Sequence, residues 1–132
     1  MERTVRVDHK GSDLFEIAVR QHVLQVDQPT EDGGSDAAPT PTEMFVASLA
    51  SCVAFNGRRF LSRHDLPTNG LSVTAQFTMA EHPARVGEIR LSIQIPDGVP
   101  DDRRAAFLAV ASHCTVHNSL EQPPEVTIQL AA

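Results

Sequence analysis

Cys52 and Cys114 are the only two cysteines of the chain and its strongest candidate nucleophiles. A thiolate can attack a peroxide oxygen to give a sulfenic acid, and a second thiol can then condense with that acid to form a disulfide. Such a pair requires Cα atoms within about 7 Å of each other. The alternative is two inert buried residues, because unpaired cysteine commonly behaves as a small hydrophobic side chain. The residue types alone leave both interpretations open.

A peroxide-attacking cysteine must ionise near neutral pH, so its pKa has to fall from about 8.5. Cys52 lies about three turns inside a predicted helix, beyond the first turn, where the helix dipole acts. A cation is therefore needed, and the candidates are Arg59, seven residues later on the helix, and Arg20, at a strand end. Each arginine is equally compatible with a solvated surface charge.

His113, Cys114 and His117 form a second cluster of side chains that could bind a metal. Adjacent positions on a helix point about 100° apart, however, and two cysteines are too few for a structural zinc site. We predict no metal ion and no organic cofactor. His117 is expected to position a backbone group or the Cys114 thiol.

The elements that position these residues follow from hydrophobic periodicity. Apolar residues alternate in three short runs between Val5 and Val26, which predicts antiparallel strands. The acidic stretch 27–36 is predicted to be a solvated loop. Thr40, Pro41 and Glu43 combine an N-cap, a helix-initial proline and a capping-box carboxylate, so a helix should run from Pro41 to about His64.

The second half predicts a strand pair over 71–79 and 89–95, a helix opened by Asp101 that carries Cys114 on its apolar face, and a last strand over 126–130. This order indicates one α+β domain over residues 1–132, with antiparallel sheets around a buried central helix. A chain of this size has difficulty covering a helix that is apolar on all sides, and an intertwined homodimer would do so.

Composition excludes several classes of protein. The formal net charge is -6 and Trp and Tyr are absent, which disfavours binding to nucleic acid. No stretch approaches the roughly 20 apolar residues that span a bilayer, and the N-terminus lacks the apolar run of a signal peptide. The expectation is a cytoplasmic protein without membrane association.

Two segments resemble motifs of the OsmC/Ohr family, the osmotically induced and organic hydroperoxide resistance proteins. The first, VDQPTEDGGSDAAPTPTEMFVASLASCVAFNGRRFLSRHDLP, resembles that family's acidic Gly-Gly loop, proline-led helix and embedded cysteine. The second, AFLAVASHCTVHNSL, resembles its later cysteine motif. The two motifs lie in the expected order, and with the strand patterns around them the resemblance extends over nearly the whole chain.

The resemblance implies an α+β homodimer with wrapped subunits and two active sites at their interface. It also implies reduction of organic hydroperoxides, with Cys52 as the peroxidatic cysteine, Cys114 as the resolving one and a dithiol as reductant.

In the hydroperoxide-resistance branch, a Glu directly after the helix-initial proline pairs with an arginine to activate the thiolate. Here Thr42 holds that position and Glu43 follows it, about 180° around the helix from Cys52. Arg20 is the nearest candidate for the arginine, and the PTEMF form resembles a less characterised group of the family.

The absence of that Glu favours two alternative functions. The first is a binding protein that keeps the scaffold and uses a cavity for a small apolar or thiol-reactive ligand. The second is a redox sensor, which would be oxidised without catalytic turnover.

Overall fold

The computed structural model describes residues 2–131, which form five strands and three α-helices. The chain divides into two compact units, one ending at Phe45 and the other beginning at Val46. Each unit contains its own antiparallel sheet. The α+β class predicted from the order of elements is therefore confirmed. Over residues 2–131, no helix combines the length and the apolar character needed to cross a membrane.

The first unit is built on a three-stranded antiparallel sheet in the order β1-β2-β3. Its strands are β1 (Val5–Gly11), β2 (Leu14–Val19) and β3 (His22–Val26). The register places Val7, Ile17 and Leu24 in one row across the sheet. Because side chains alternate between the faces of a strand, this apolar row lies on one face of the sheet, whereas Ala18 and Val23 lie on the other. The three strands predicted from the alternation are confirmed.

Asp27 organises the loop that follows β3. Its side chain is only 1% exposed, although the sequence suggested a solvated acidic loop. The carboxylate accepts hydrogen bonds from the backbone N–H groups of Ala37, at 3.0 Å, and Gln28, at 2.7 Å. The Asp27 N–H in turn donates to the Pro39 carbonyl at 3.0 Å. The carboxylate therefore closes the loop across ten residues, and the expectation of a solvated side chain was wrong for Asp27.

The same hydrogen bonds make the loop sensitive to acid. Donation from Ala37, and then from Gln28, lowers the pKa of Asp27 below its usual value. A group with a depressed folded pKa stabilises the protein above its unfolded pKa of about 3.9 and loses that effect as the pH falls through the folded pKa. Asp27→Asn should therefore lower Tm by roughly 5–10 °C at pH 7, and by progressively less in acid.

Thermal unfolding followed by circular dichroism from neutral pH down to strong acid checks this expectation. The exposed Asp32 of the same loop provides the control, and Asp32→Asn should leave the pH profile of Tm close to that of the parent protein. Equal profiles for Asp27→Asn and the parent would contradict the assigned role of the buried carboxylate.

Helix α1 (Pro41–Arg63) begins in the first unit and continues through the second. Its capping box is formed as predicted: the Glu43 N–H donates to Thr40 Oγ1 at 3.0 Å, and the Thr40 N–H donates to Glu43 Oε1 at 2.9 Å. The helix ends within one residue of the predicted His64. Its start and end are therefore determined by local sequence.

The second unit packs helices against a two-stranded antiparallel sheet. It contains β4 (Ser72–Ala80), β5 (Arg85–Gln94), α2 (Arg104–Ser112) and α3 (Thr115–Glu121). The buried residues of its core are Leu49, Val53, Phe60, Leu61, Val99, Phe107, Ala111 and Cys114. Helix α1 buries one face here, whereas Phe55 on its other face remains exposed. One chain alone thus leaves part of this apolar helix uncovered.

Two predictions for the C-terminal third need correction. Helix α2 ends at Ser112, and the break that the sequence indicated around residues 115–118 is helical instead, so Cys114 precedes α3 rather than lying on the apolar face of the helix before it. The strand predicted over 126–130 is not formed, and Val126, Ile128 and Leu130 are exposed. Within the described chain no strand lies beside this segment, and alternation alone cannot form a strand without a hydrogen-bonding neighbour.

Candidate functional site

The two cysteines meet inside the second unit, although they are far apart in sequence. Cys52 lies on α1, and Cys114 directly precedes α3 as its N-cap residue. Cys52 packs against the core cluster that contains Cys114, and the two thiols are near enough for Cys52 to raise the pKa of Cys114. The fold therefore makes the two cysteines neighbours in one core.

The two thiols differ in their access to solvent. Both are free; Cys52 is partly buried, whereas the exposed fraction of Cys114 is 0%. The arrangement holds a partly accessible thiol against a fully buried one. A reagent that enters from solvent would therefore meet Cys52 first.

Burial raises the pKa of the Cys114 thiol above its usual value, because a thiolate loses hydration in an apolar core. The backbone N–H groups of His117 and Val116 oppose this shift by donating to the sulfur, the former at 3.4 Å. The neighbouring Cys52 side chain raises the pKa of Cys114 further.

Arg59 and Arg20, the two cations considered from sequence, occupy different surroundings. The Arg59 guanidinium lies over the Phe55 ring, 5.4 Å from its centroid. Arg20 lies in the turn between β2 and β3, with a φ of 51°, and belongs to the first unit. No cation contributes to the pKa shift of Cys114 among the described residues. Glu43 is engaged in the helix cap.

The two histidines beside Cys114 bind backbone groups. His117 Nδ1 is 2.6 Å from the Ser112 carbonyl oxygen, and His113 Nδ1 is 2.6 Å from the Ala109 carbonyl oxygen. His117 thus spans the break between α2 and α3, which agrees with its expected positioning role. Over residues 2–131, no three His, Cys, Asp or Glu side chains are grouped so that they could hold a metal ion.

Asn56 is a positioning residue that the sequence reasoning missed. Its Nδ2 donates to the Val110 carbonyl at 3.3 Å and so connects α1 to α2, one turn beyond Cys52. A polar side chain within the charge-free centre of α1 was the available signal. The bond fixes the helix that carries Cys52 against the helix that leads to Cys114.

A surface depression of about 600 Å³ lies beside α1 in the second unit. It is lined by Ser51, Ala54, Phe55, Arg58, Thr68, Asn69 and Leu71. Neither cysteine lines it. Four of its seven lining residues are polar or charged, and Ala54, Phe55 and Leu71 supply the apolar part.

Comparison with known structures identifies the same fold in several bacterial proteins. An osmotic stress induced and detoxification response protein from Psychrobacter arcticus 273-4 is 24% identical, with a TM-score of 0.83 over 90% of this chain and 88% of that one. An OsmC like protein from Mycoplasma pneumoniae is 16% identical, with a TM-score of 0.79 over 93% and 89%. An organic hydroperoxide resistance protein OsmC from Legionella pneumophila is 21% identical, with a TM-score of 0.69 over 91% and 89%.

None of the curated protein sequences matches the chain. The family profile described as OsmC-like protein matches residues 33–129, a range that includes both cysteines and most of the chain. The chain therefore belongs to the OsmC-like protein family.

Proposed function

We propose that the protein is a thiol-dependent peroxidase that reduces organic hydroperoxides through Cys52 and Cys114. The placement of the two thiols beside each other in one core is the observation that carries this proposal. Membership of the OsmC-like family supports it, as does the similarity of the fold to the Legionella hydroperoxide resistance protein. A reducing cytoplasm would keep both thiols free between turnovers.

The roles of the cysteines follow from their surroundings. Cys114 is buried and its raised pKa keeps it protonated at neutral pH, so it is a poor nucleophile. Cys52 is partly accessible to solvent and lies beside Cys114 in the core. Cys52 is therefore the thiolate that attacks, and Cys114 is the resolving thiol.

The proposed cycle balances without a metal ion or an organic cofactor. The Cys52 thiolate attacks the terminal oxygen of ROOH; the O–O bond breaks, and the alkoxide takes a proton from water and leaves as ROH. Cys114 then attacks the Cys52 sulfenic acid, which forms the disulfide and releases water. A dithiol reduces that disulfide to two thiols and becomes a disulfide itself.

Titration with cumene hydroperoxide tests the first half of the cycle. One equivalent per subunit should consume both free thiols and lower the mass of the chain by two hydrogen atoms. Free thiols are counted with a chromogenic disulfide in denaturant, and the mass is measured on the intact protein. An unchanged thiol count after exposure to excess hydroperoxide would refute the peroxidase proposal.

We also propose that the protein is a homodimer. The chain exposes 9982 Å², whereas a folded monomer of 14.3 kDa exposes about 6,800 Å². The excess of about 3,000 Å² per chain, or about 6,000 Å² for a pair of chains, corresponds to a large obligate homodimer interface. Phe55, Leu108 and Val110 are among the exposed apolar side chains that a second copy would cover.

A binding protein is the second candidate function, and the depression beside Ser51 and Phe55 favours it. Thr42, which replaces the activating Glu of the hydroperoxide-resistance branch, supports the same candidate. Cys52→Ser would then leave ligand binding intact. A redox sensor would instead be oxidised by hydroperoxide without cycling in the presence of a dithiol.

A further inference from the structure

The C-terminal end of helix α2 binds side chains from both of the elements that carry the cysteines. The last four carbonyl groups of an α-helix have no partner inside that helix. In α2 the Val110 carbonyl accepts a hydrogen bond from Asn56 Nδ2 at 3.3 Å, and the Ser112 carbonyl oxygen lies 2.6 Å from His117 Nδ1. These two carbonyl groups, here called the α2 anchor, therefore hold one side chain from α1 and one from α3.

Each of these two side chains lies close in sequence to one cysteine. Asn56 follows Cys52 by four residues, about one turn of α1, so both lie on the same side of that helix. His117 follows Cys114 by three residues, and its own backbone N–H donates to the Cys114 sulfur at 3.4 Å. Loss of either side chain from the α2 anchor would therefore free one sulfur to move relative to the other.

The His117 ring is held by its Nδ1 atom. A carbonyl oxygen can only accept a hydrogen bond, so Nδ1 carries a proton and donates to Ser112. Nε2 faces the Glu121 carboxylate at 3.5 Å, one turn further along α3. A fixed ring keeps the His117 backbone N–H directed at the Cys114 sulfur, where it favours the thiolate that a disulfide-forming attack requires.

We propose that Asn56 and His117 are positioning residues that set the rate of disulfide closure between Cys52 and Cys114. The inference rests on the proposed function and assigns residues to its second step. In that step the Cys114 sulfur attacks the sulfur of the Cys52 sulfenic acid; the S–S bond forms, the S–O bond breaks, and the proton lost by Cys114 converts the departing hydroxide to water. A displacement of about 1 Å between reacting atoms can slow such a step by about 100-fold.

Quenched-flow mass spectrometry after mixing with hydroperoxide tests the inference, because the chain has no Trp or Tyr that could report by fluorescence. His117→Ala should form the Cys52 sulfenic acid at the parent rate but close the disulfide about 10- to 100-fold more slowly. His117→Asn is the conservative variant: its amide can donate to the Ser112 carbonyl, and it should restore most of the closure rate. Asn56→Leu keeps the approximate shape but loses the donor, so it should slow closure as His117→Ala does.

Two results of this experiment would overturn the inference. The first is disulfide closure at the parent rate in His117→Ala or in Asn56→Leu. The second is equal slowing of sulfenic acid formation and of closure, because that result indicates a general loss of structure rather than misplacement of one sulfur.

Glutathione disulfide tests the same alignment without hydroperoxide. It should form a mixed disulfide with Cys52, from which Cys114 should displace glutathione about 10- to 100-fold more slowly in His117→Ala than in the parent protein. Slow displacement in this variant, with a parent protein that does not react with hydroperoxide, would refute the peroxidase and support the positioning role. Equal displacement rates, with a parent protein that hydroperoxide does oxidise, would overturn the positioning role alone.

Discussion

Replacing Cys52 by Ser should lower the rate of hydroperoxide consumption in the presence of a dithiol by about a thousand-fold or more. A serine hydroxyl does not ionise near neutral pH, and Cys114 cannot replace the lost thiolate because it is buried and keeps its proton. The remaining rate should equal that of the dithiol alone. Peroxide consumption is followed directly by a colorimetric assay of the remaining hydroperoxide.

Cys114→Ser is the matched control because it removes the other sulfur and keeps the attacking one. It should consume one equivalent of hydroperoxide and accumulate a sulfenic acid on Cys52, which dimedone traps and mass spectrometry detects. Disulfide formation within the chain should be absent. Equal activity of Cys52→Ser and the parent protein, or dimedone labelling at Cys114 in Cys52→Ser, would show that the roles are wrongly assigned.

Phe107→Ala should cost about 3–5 kcal/mol of unfolding free energy, a large part of the roughly 5–15 kcal/mol that a domain has. The Phe107 side chain is 1% exposed and packs edge-on against Phe60, with ring centroids 5.9 Å apart at 82°. It shares the core with Cys114, so loosening it should also speed the reaction of that thiol with alkylating reagents. Denaturant unfolding and timed alkylation measure the two effects.

A substitution at Gly57 tests the position of the Phe107 ring in the core more directly. A Cβ at Gly57 would lie 2.7 Å from Phe107 Cζ, closer than carbon atoms can approach. Gly57→Ala should therefore destabilise the parent protein and should cost little in the Phe107→Ala background, where the ring is absent. Leu108→Ala, at an exposed neighbour, is the control for helix α2. Additive costs for Gly57→Ala and Phe107→Ala would contradict this packing.

The positions of helices and strands could be predicted from the sequence where they depend on residues only a few positions apart. The capping box of Thr40 and Glu43 set the start of α1, and period-two alternation identified β1 to β5. These features depend on neighbours within a few residues, so they could be read without knowledge of the fold. The resemblance to the OsmC/Ohr family also came from contiguous segments.

Only the tertiary structure brought Cys52 and Cys114 together and buried Asp27, because both outcomes depend on contacts between residues distant in sequence. Cys114 was wrongly assigned to the apolar face of α2 because the apolar period continues past Ser112, where the helix ends and His117 contacts the carbonyl. The alternation at the C-terminus predicted a strand, but a strand exists only beside another one. Periodicity is a property of one segment, whereas pairing, burial and the pKa of a thiol belong to the segments that surround it.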